Sequence, residues 1–248
     1  MKIRLDRFLA KASLGSRRET LKLIKSGKIS VNGITVKDPS LKIDPERDEI
    51  LIGNREVKIS IDYHYKFYKP KGFITSHKDP QRTIFDLLPK DLPGLRDLSP
   101  AGRLDKDAEG LILLTTDGEL AHRITHPKWK LPKIYEIILD KGLLEEDRSR
   151  IERGIPLKEG MTRPASVKIL NRERTHVEIT VIEGRYHLLK RLFGALGYRV
   201  MKLKRLAIGP LKLENLNPGE VRPLTGVEIS ALKKELNLGE YQPKSCTT

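Results

Sequence analysis

Residues 101–118 read Ala-Gly-Arg-Leu-Asp-Lys-Asp-Ala-Glu-Gly-Leu-Ile-Leu-Leu-Thr-Thr-Asp-Gly. Leu111 to Leu114 are four consecutive apolar residues between turn signals, the pattern of a strand buried on both faces. Asp117-Gly118 reads as a turn leaving that strand. Upstream, Asp105 sits in a polar, glycine-flanked segment. A carboxylate in a loop beside a buried strand is held by the strand and partly desolvated, and both properties suit a reacting group.

Spacing alone leaves three readings of Asp105. It is a solvated loop aspartate capping the next element, or a calcium ligand, or a catalytic carboxylate. Asp105, Asp107, Glu109 and Gly110 match the first half of a calcium loop, but Thr116 occupies the position of the bidentate carboxylate. Apolar residues also fill most of the loop's second half, so calcium is disfavoured.

The 248 residues are enough for one large domain, or for a small one and a larger one. No run of about 18 apolar residues occurs, which excludes a membrane-spanning helix. Met1 to Arg7 has no apolar core of the kind a secretory signal carries, so a cytoplasmic location is expected. A single cysteine, Cys246, excludes an internal disulfide and a cysteine-based zinc site. The net charge of +15 points to a polyanionic partner, without separating RNA from DNA or acidic lipid. A charged fraction of 33% with only Gln81 and Gln242 leans toward a thermophilic source.

Residues 1–60 read as a separate module. Leu5, Phe8 and Leu9 fall at helical spacing, as do Leu21 and Ile24, and Ser16 with Glu19 forms a capping-box pattern. Lys28 to Val36 is a hairpin around Asn32-Gly33, and Ile50-Leu51-Ile52 a further strand. Ten basic residues between Met1 and Lys37 face only Asp6 and Glu19. They are either a solvated face or a surface for phosphates. Residues 54–62 read as a linker.

Residues 61–248 read as a second domain. Tyr65 to Ser76 begins it as a strand and a Pro-Lys-Gly turn, with its aromatics more readily core than a base-stacking platform. A short helix around Thr83 to Leu88 interrupts a polar stretch, and another covers Glu119 to Ile124. His122 and His126 could share a metal, but no third ligand is near, so no metal is expected. Strands follow at Lys133–Leu139, Ala165–Leu170, His176–Ile182 and Val200–Leu206, with helices at 143–154 and about 188–196. A last helix starts at Thr225, paired with Glu228, and the tail from about Gly239 should fray. Neither nucleotide-binding glycine motif is present, so no cofactor is expected.

Gly102-Arg103-Leu104-Asp105, followed by Gly110-Leu111 and Thr115-Thr116-Asp117-Gly118, resembles the signature of RNA pseudouridine synthases. More narrowly, it is similar to the family of the small-subunit ribosomal RNA synthase RsuA and its large-subunit relatives. Lys133-Ile134-Tyr135 and Glu183-Gly184-Arg185-Tyr186-His187-Leu188-Leu189-Lys190-Arg191 resemble two further motifs of that family. The resemblance implies Asp105 as nucleophile, Tyr135 against the target base and Lys190 as the cation paired with Asp105. It also implies Arg103 and Arg185 at the RNA, with Arg103 helping to hold the gap left by an extruded uridine. Leu188 departs from the family's pattern, which has Gln there. The Tyr186-His187 version favours the small-subunit enzyme.

Arg4-Leu5-Asp6-Arg7-Phe8-Leu9, Ser16-Arg17-Arg18 and Ile24 to Gly33 resemble the S4 RNA-binding domain. That resemblance implies RNA contacts by Arg4, Arg7, Arg17, Arg18 and Lys28. The expected fold class is therefore α+β: a small α/β S4-like domain, then a pseudouridine synthase domain around a mixed, largely antiparallel sheet. The expected activity is isomerisation of uridine to pseudouridine in small-subunit ribosomal RNA, by a monomer, without cofactor or metal. The expected partner is ribosomal RNA or a partly assembled ribosomal subunit, with no membrane involved. The alternatives are a large-subunit synthase and a non-catalytic S4 ribosome-assembly protein. The joint presence of Asp105, Tyr135 and Lys190 argues against the latter.

Overall fold

The computed structural model describes residues 3–12, 17–44, 47–57, 62–77 and 79–238. The chain divides into two compact units, Met1–Asp62 and Tyr63–Thr248. No helix among the described residues is long and apolar enough to cross a membrane.

In the first unit, helices α1 (Leu5–Lys11) and α2 (Arg17–Lys25) pack on a four-stranded sheet. Its strands are β1 (Ile29–Val31), β2 (Ile34–Val36), β3 (Ile50–Ile52) and β4 (Arg55–Glu56), in the order β2-β1-β3-β4. Leu5, Phe8, Leu9, Ile24, Ile29 and Ile43 are buried in its core. Asn32 and Gly33 both have positive φ, at 51° and 78°, so the hairpin has the tight turn that Asn-Gly favours. Arg55–Glu56, read from sequence as linker, instead pairs with β3, because chain turning at Gly53 returns it antiparallel. The capping role expected of Ser16 and the fraying expected from Gly239 both lie outside the described residues.

The second unit is a mixed, nine-stranded sheet with helices on both faces. Its strands are β5 (His64–Lys69), β6 (Glu109–Thr115), β7 (Lys133–Leu139), β8 (Ser166–Ile169), β9 (His176–Val181), β10 (Val200–Ile208) and β11 (Val221–Pro223), with Ser99–Pro100 and Leu211–Lys212 paired at the sides. The order is β8-β9-β7-β10-β6-β5-β11. Every pairing is antiparallel except β10 with β6, which is parallel and brief: Lys204 faces Glu109 and Arg205 faces Gly110.

The run at Leu111–Leu114 behaves as its composition demands. Ile112 and Leu114 enter one core, with Ile137, Leu192 and Phe193; Leu111 and Leu113 enter the other, with Leu120, Ile124 and Leu232. The first face is covered by α4 (Glu145–Arg153) and α5 (Leu188–Ala195), the second by α3 (Gly118–Thr125) and α6 (Gly226–Glu235). Tyr65, Phe67 and Tyr68 are core residues, as alternation suggested. Asp117-Gly118 is not a simple turn: Asp117 is the N-cap of α3, its Oδ1 accepting from the Glu119 and Leu120 amides at 3.0 and 3.1 Å. Aspartate serves both roles, and here two of the helix's unpaired first-turn amides claim it.

Lys66 is the least expected core residue. It is fully buried on β5, and its Nζ lies 2.8 Å from Glu214 Oε2 and 2.8 Å from Glu228 Oε1. Arg222 grips Glu228 from the other side with two 2.9 Å bonds, and Glu228 also closes the capping box with Thr225. These contacts fasten α6 to the sheet. The Arg222 hydrogen bonds, joined by Lys66 and despite burial, hold the Glu228 carboxyl well below the usual carboxylate range.

A folded-state pKa below the unfolded one means that the Glu228 contribution is present above about pH 4.3 and fades as pH falls below it. Glu228→Gln should cost about 3 kcal/mol at neutral pH, because Lys66 loses a charged partner while buried. It should also make the melting temperature less steeply dependent on pH below about 4.3. Thermal melts of both proteins across pH 2–7 check this, and parallel curves would refute the clamp.

Candidate active site

Asp105 sits on the segment leading into β6, and the fold holds that segment from beneath. Lys69, fully buried at the end of β5, donates to the carbonyls of Ala108 (2.6 Å), Pro70 (3.1 Å) and Lys106 (3.3 Å). Burial pushes its ammonium down to about 8, against the pull of Asp107, Asp105 and Glu109. Thr75 locks the other side, its hydroxyl donating to Leu104 O at 3.0 Å and accepting from Leu104 N at 3.2 Å. The loop is therefore pinned on both flanks of the carboxylate.

Asp105 faces two basic side chains from the start of α5. His187 Nε2 lies 3.3 Å from Oδ1 and Lys190 Nζ lies 3.4 Å from Oδ2. One helical turn separates the two residues, with His187 at the N-cap, so both reach the same carboxylate. Lys190 makes a shorter contact, 2.5 Å, with Asp107 Oδ1. Burial opposes the charge on Lys190, but the Asp107 hydrogen bond and the two carboxylates outweigh it and raise its pKa. The same hydrogen bond lowers the pKa of Asp107.

Next to this group lies a cavity of about 130 Å³, with Arg103, Asp105, Lys133, Tyr135, Leu203 and Arg205 among its lining residues. Tyr135 comes from β7, buried to 8% exposure, two residues from Lys133 on the same strand face. Arg205, on β10, is 2% exposed; its Nε donates to Leu111 O at 2.7 Å, and its Nη1 lies 3.5 Å from both Tyr135 Oη and Arg103 O. Its Nη2 is buried without a hydrogen-bond partner. Burial, then the neighbouring Arg205, pushes the Lys133 ammonium down to about 8. A wider groove opens beside the cavity, lined by Gln81, Arg103, Arg185, Tyr186 and His187, with Tyr186 exposed and stacked on His187 at 3.7 Å.

The structure thus brings Asp105, Tyr135, Lys190, Arg103 and Arg185 to one cavity and its rim. Arg185 is engaged within the protein, bonded to Glu183 and to the carbonyls of Gly160 and Met161. Arg4, Arg7, Arg17, Arg18 and Lys28 belong to the first unit, where Arg7, Arg18 and Lys28 are exposed and Arg4 is paired with Asp6 at 2.9 Å. Leu188 is buried and lines the same cavity, so the position where the family's pattern has Gln presents an apolar side chain to it. His122 and His126 lie ring to ring at 5.0 Å, and no group of three metal-ligating side chains occurs among the described residues.

Sequence reasoning overlooked Lys69, Lys133, His187, Arg205 and the Asp107 contact. Strand parity carried a signal for two of them. Lys133 shares the buried parity of Tyr135, Ile137 and Leu139, and Arg205 that of Leu203 and Ala207.

Residues 63–195 match the family described as RNA pseudouridylate synthase, and residues 3–50 match the S4 domain. An RNA pseudouridine synthase of Aquifex aeolicus (strain VF5) is 40% identical over 98% of each chain. The ribosomal small subunit pseudouridine synthase A of Vibrio vulnificus (strain CMCP6) is 39% identical over 94% of this chain and 100% of its own length. The ribosomal large subunit pseudouridine synthase B of Bacillus subtilis (strain 168) is 36% identical over 93% of this chain and 95% of its own. A crystal structure of a pseudouridylate synthase superposes with a TM-score of 0.66 and 38% identity, covering 93% of this chain and 99% of that one. Fold and site define an RNA-modifying enzyme with an appended RNA-binding module. The chain belongs to the RNA pseudouridylate synthase family.

Lys190 stands between two carboxylates, so its charge should matter more than its bulk. Lys190→Met should slow single-turnover pseudouridine formation by at least about a hundredfold, whereas Lys190→Arg should keep a substantial part of it. Equal rates for Lys190→Met and the parent protein would show that the ammonium plays no part.

Proposed function

We propose that this protein isomerises uridine to pseudouridine in small-subunit ribosomal RNA, with Asp105 as the nucleophile. The observation that carries the reading is the Asp105 carboxylate at the edge of a cavity, with Lys190 and His187 on one side and buried Tyr135 on the other. A base inside a helical stack is out of reach of such a group, so the target uridine leaves the stack and enters the cavity. Arg103, exposed on the rim, occupies the gap it leaves.

The chemistry follows from the groups present. The Asp105 carboxylate attacks the sugar at C1′, or takes the C2′ proton to start an elimination, and the C1′–N1 bond breaks with its electron pair leaving on the base. Lys190, 3.4 Å from Oδ2, is the cation beside the reacting carboxylate and orients it toward the sugar. The base turns against Tyr135, and C5 bonds to C1′ as the Asp105–C1′ bond breaks or, on the elimination route, as the proton returns to C2′. The C5 proton is lost and N1 takes one up, so the product is an isomer of the substrate. No electron transfer or phosphoryl transfer occurs in this sequence.

The S4 unit supplies affinity through phosphates, which fix register without reading bases. Similarity to the Vibrio small-subunit enzyme and the Tyr186-His187 pair support small-subunit RNA. Similarity to the Bacillus large-subunit enzyme supports the second reading, large-subunit RNA.

Asp105→Asn keeps the shape of the side chain and removes the nucleophile. It should lower tritium release from C5-labelled uridine in RNA by at least about 10⁴-fold, with RNA affinity nearly unchanged. Release near the parent rate would refute the assignment. Pseudouridine mapping on the two ribosomal RNAs, each incubated separately with the protein, decides the substrate.

A further inference from the structure

The floor of the cavity carries two cations that the mechanism above does not use. Lys133 and Arg205 are both more than nine-tenths buried, and both line the space beside Tyr135. Their partners are neutral: Leu131 O for Lys133, at 3.1 Å, and Leu111 O, Arg103 O and Tyr135 Oη for Arg205. The two acids lining the same cavity are engaged elsewhere, Asp105 by His187 and Lys190, and Glu183 by Arg185 and the Arg163 amide. Among the described residues, neither floor cation has a carboxylate at ion-pair distance. Burying unpaired charge is costly, and Arg205 also leaves Nη2 without an acceptor. Lysine and arginine offer donors only, so the complement this floor lacks is an acceptor oxygen carrying negative charge.

Uracil supplies that complement twice. Resting on the proposed isomerisation, we propose that Lys133 and Arg205 grip a uracil carbonyl oxygen throughout the reaction, retain the detached base and exclude cytosine. When the C1′–N1 bond breaks, the electron pair leaves with the base, and its charge spreads over N1, O2 and O4. Joining through C5 requires the ring to turn so that C5 replaces N1. A half-turn about the N3–C6 axis accomplishes this, and the same half-turn exchanges O2 with O4. The floor therefore meets a carbonyl oxygen before and after the turn. The base stays bound while it is covalently free, until the C5–C1′ bond forms, the C5 proton leaves and N1 takes one up. In cytosine the same half-turn exchanges O2 with the N4 amino group, which sets hydrogen-bond donors against two cations. A site built around one hydrogen-bonding pattern rejects such an analogue strongly.

Two measurements test this. Saturation-transfer NMR with free uracil and free cytosine needs no RNA. The parent protein and Asp105→Asn should both bind uracil in preference to cytosine, and Lys133→Met and Arg205→Met, checked for a parent-like melting transition, should lose about ten- to a hundredfold in uracil affinity. With uridine-containing RNA, chromatography should find free uracil released by the two floor variants, at a ratio to pseudouridine about tenfold or more above that of the parent. Equal binding of uracil and cytosine, no uracil binding by the parent, or parent-like behaviour of both floor variants would overturn the proposal. Isomerisation by Asp105→Asn would instead overturn the nucleophile assignment and leave the binding result standing.

Discussion

The second unit depends on one close approach of two backbones. A Cβ on Gly110 would stand 2.3 Å from Arg205 O and 2.6 Å from Arg205 N, and Gly110 holds φ at +113°. Only glycine satisfies both demands. At this point β6 and β10 run parallel for two registered residues, and this contact joins two otherwise antiparallel halves of the sheet. One half carries β5, β6 and the Asp105 loop; the other carries Tyr135, Lys133 and Arg205 on β7 and β10. The candidate active site lies at the seam between them.

The seam also sorts charge. Asp105 and Asp107 meet Lys190 at the cavity wall, while Lys69, Lys133 and Arg205 are buried around the loop and the floor. Burial weakens screening, so each of these charges acts on its neighbours more strongly than it would at the surface. Lys69 spends its donors on three carbonyls and Arg205 on two, so both also serve as struts. The same side chains thus fix the geometry of the carboxylate loop and place positive charge around the cavity beside it.

Much of this was legible in the sequence. Leu111–Leu114 announced a strand covered on both faces, and alternation gave β7, β8 and β9 nearly residue by residue. The motifs around Asp105, Tyr135 and Lys190 identified three elements that the fold then brought to one cavity. What remained hidden was long-range electrostatics. Nothing local marks Lys66 as buried, because the acids that make its burial tolerable, Glu214 and Glu228, lie about 150 residues away in sequence on other elements. Asp105 and Asp107 are two residues apart, so spacing could not say that Lys190 makes its shorter contact with Asp107. Asp117-Gly118 satisfies the rules for a turn and for a helix start equally well, and only the amides of α3 decide between them.

Because the Gly110–Arg205 approach joins the two halves of the site, Gly110→Ala is the decisive variant. The measurement is kcat for pseudouridine formation at saturating RNA, on protein that retains a cooperative melting transition. Displacement of β6 from β10 by the added methyl should shift the Asp105 loop from the floor by about an ångström and lower kcat by at least about a hundredfold. RNA affinity should change little, since the phosphate contacts proposed for the first unit do not involve β6 or β10. A folded Gly110→Ala protein with the parent kcat would show that the Gly110–Arg205 approach does not assemble the site.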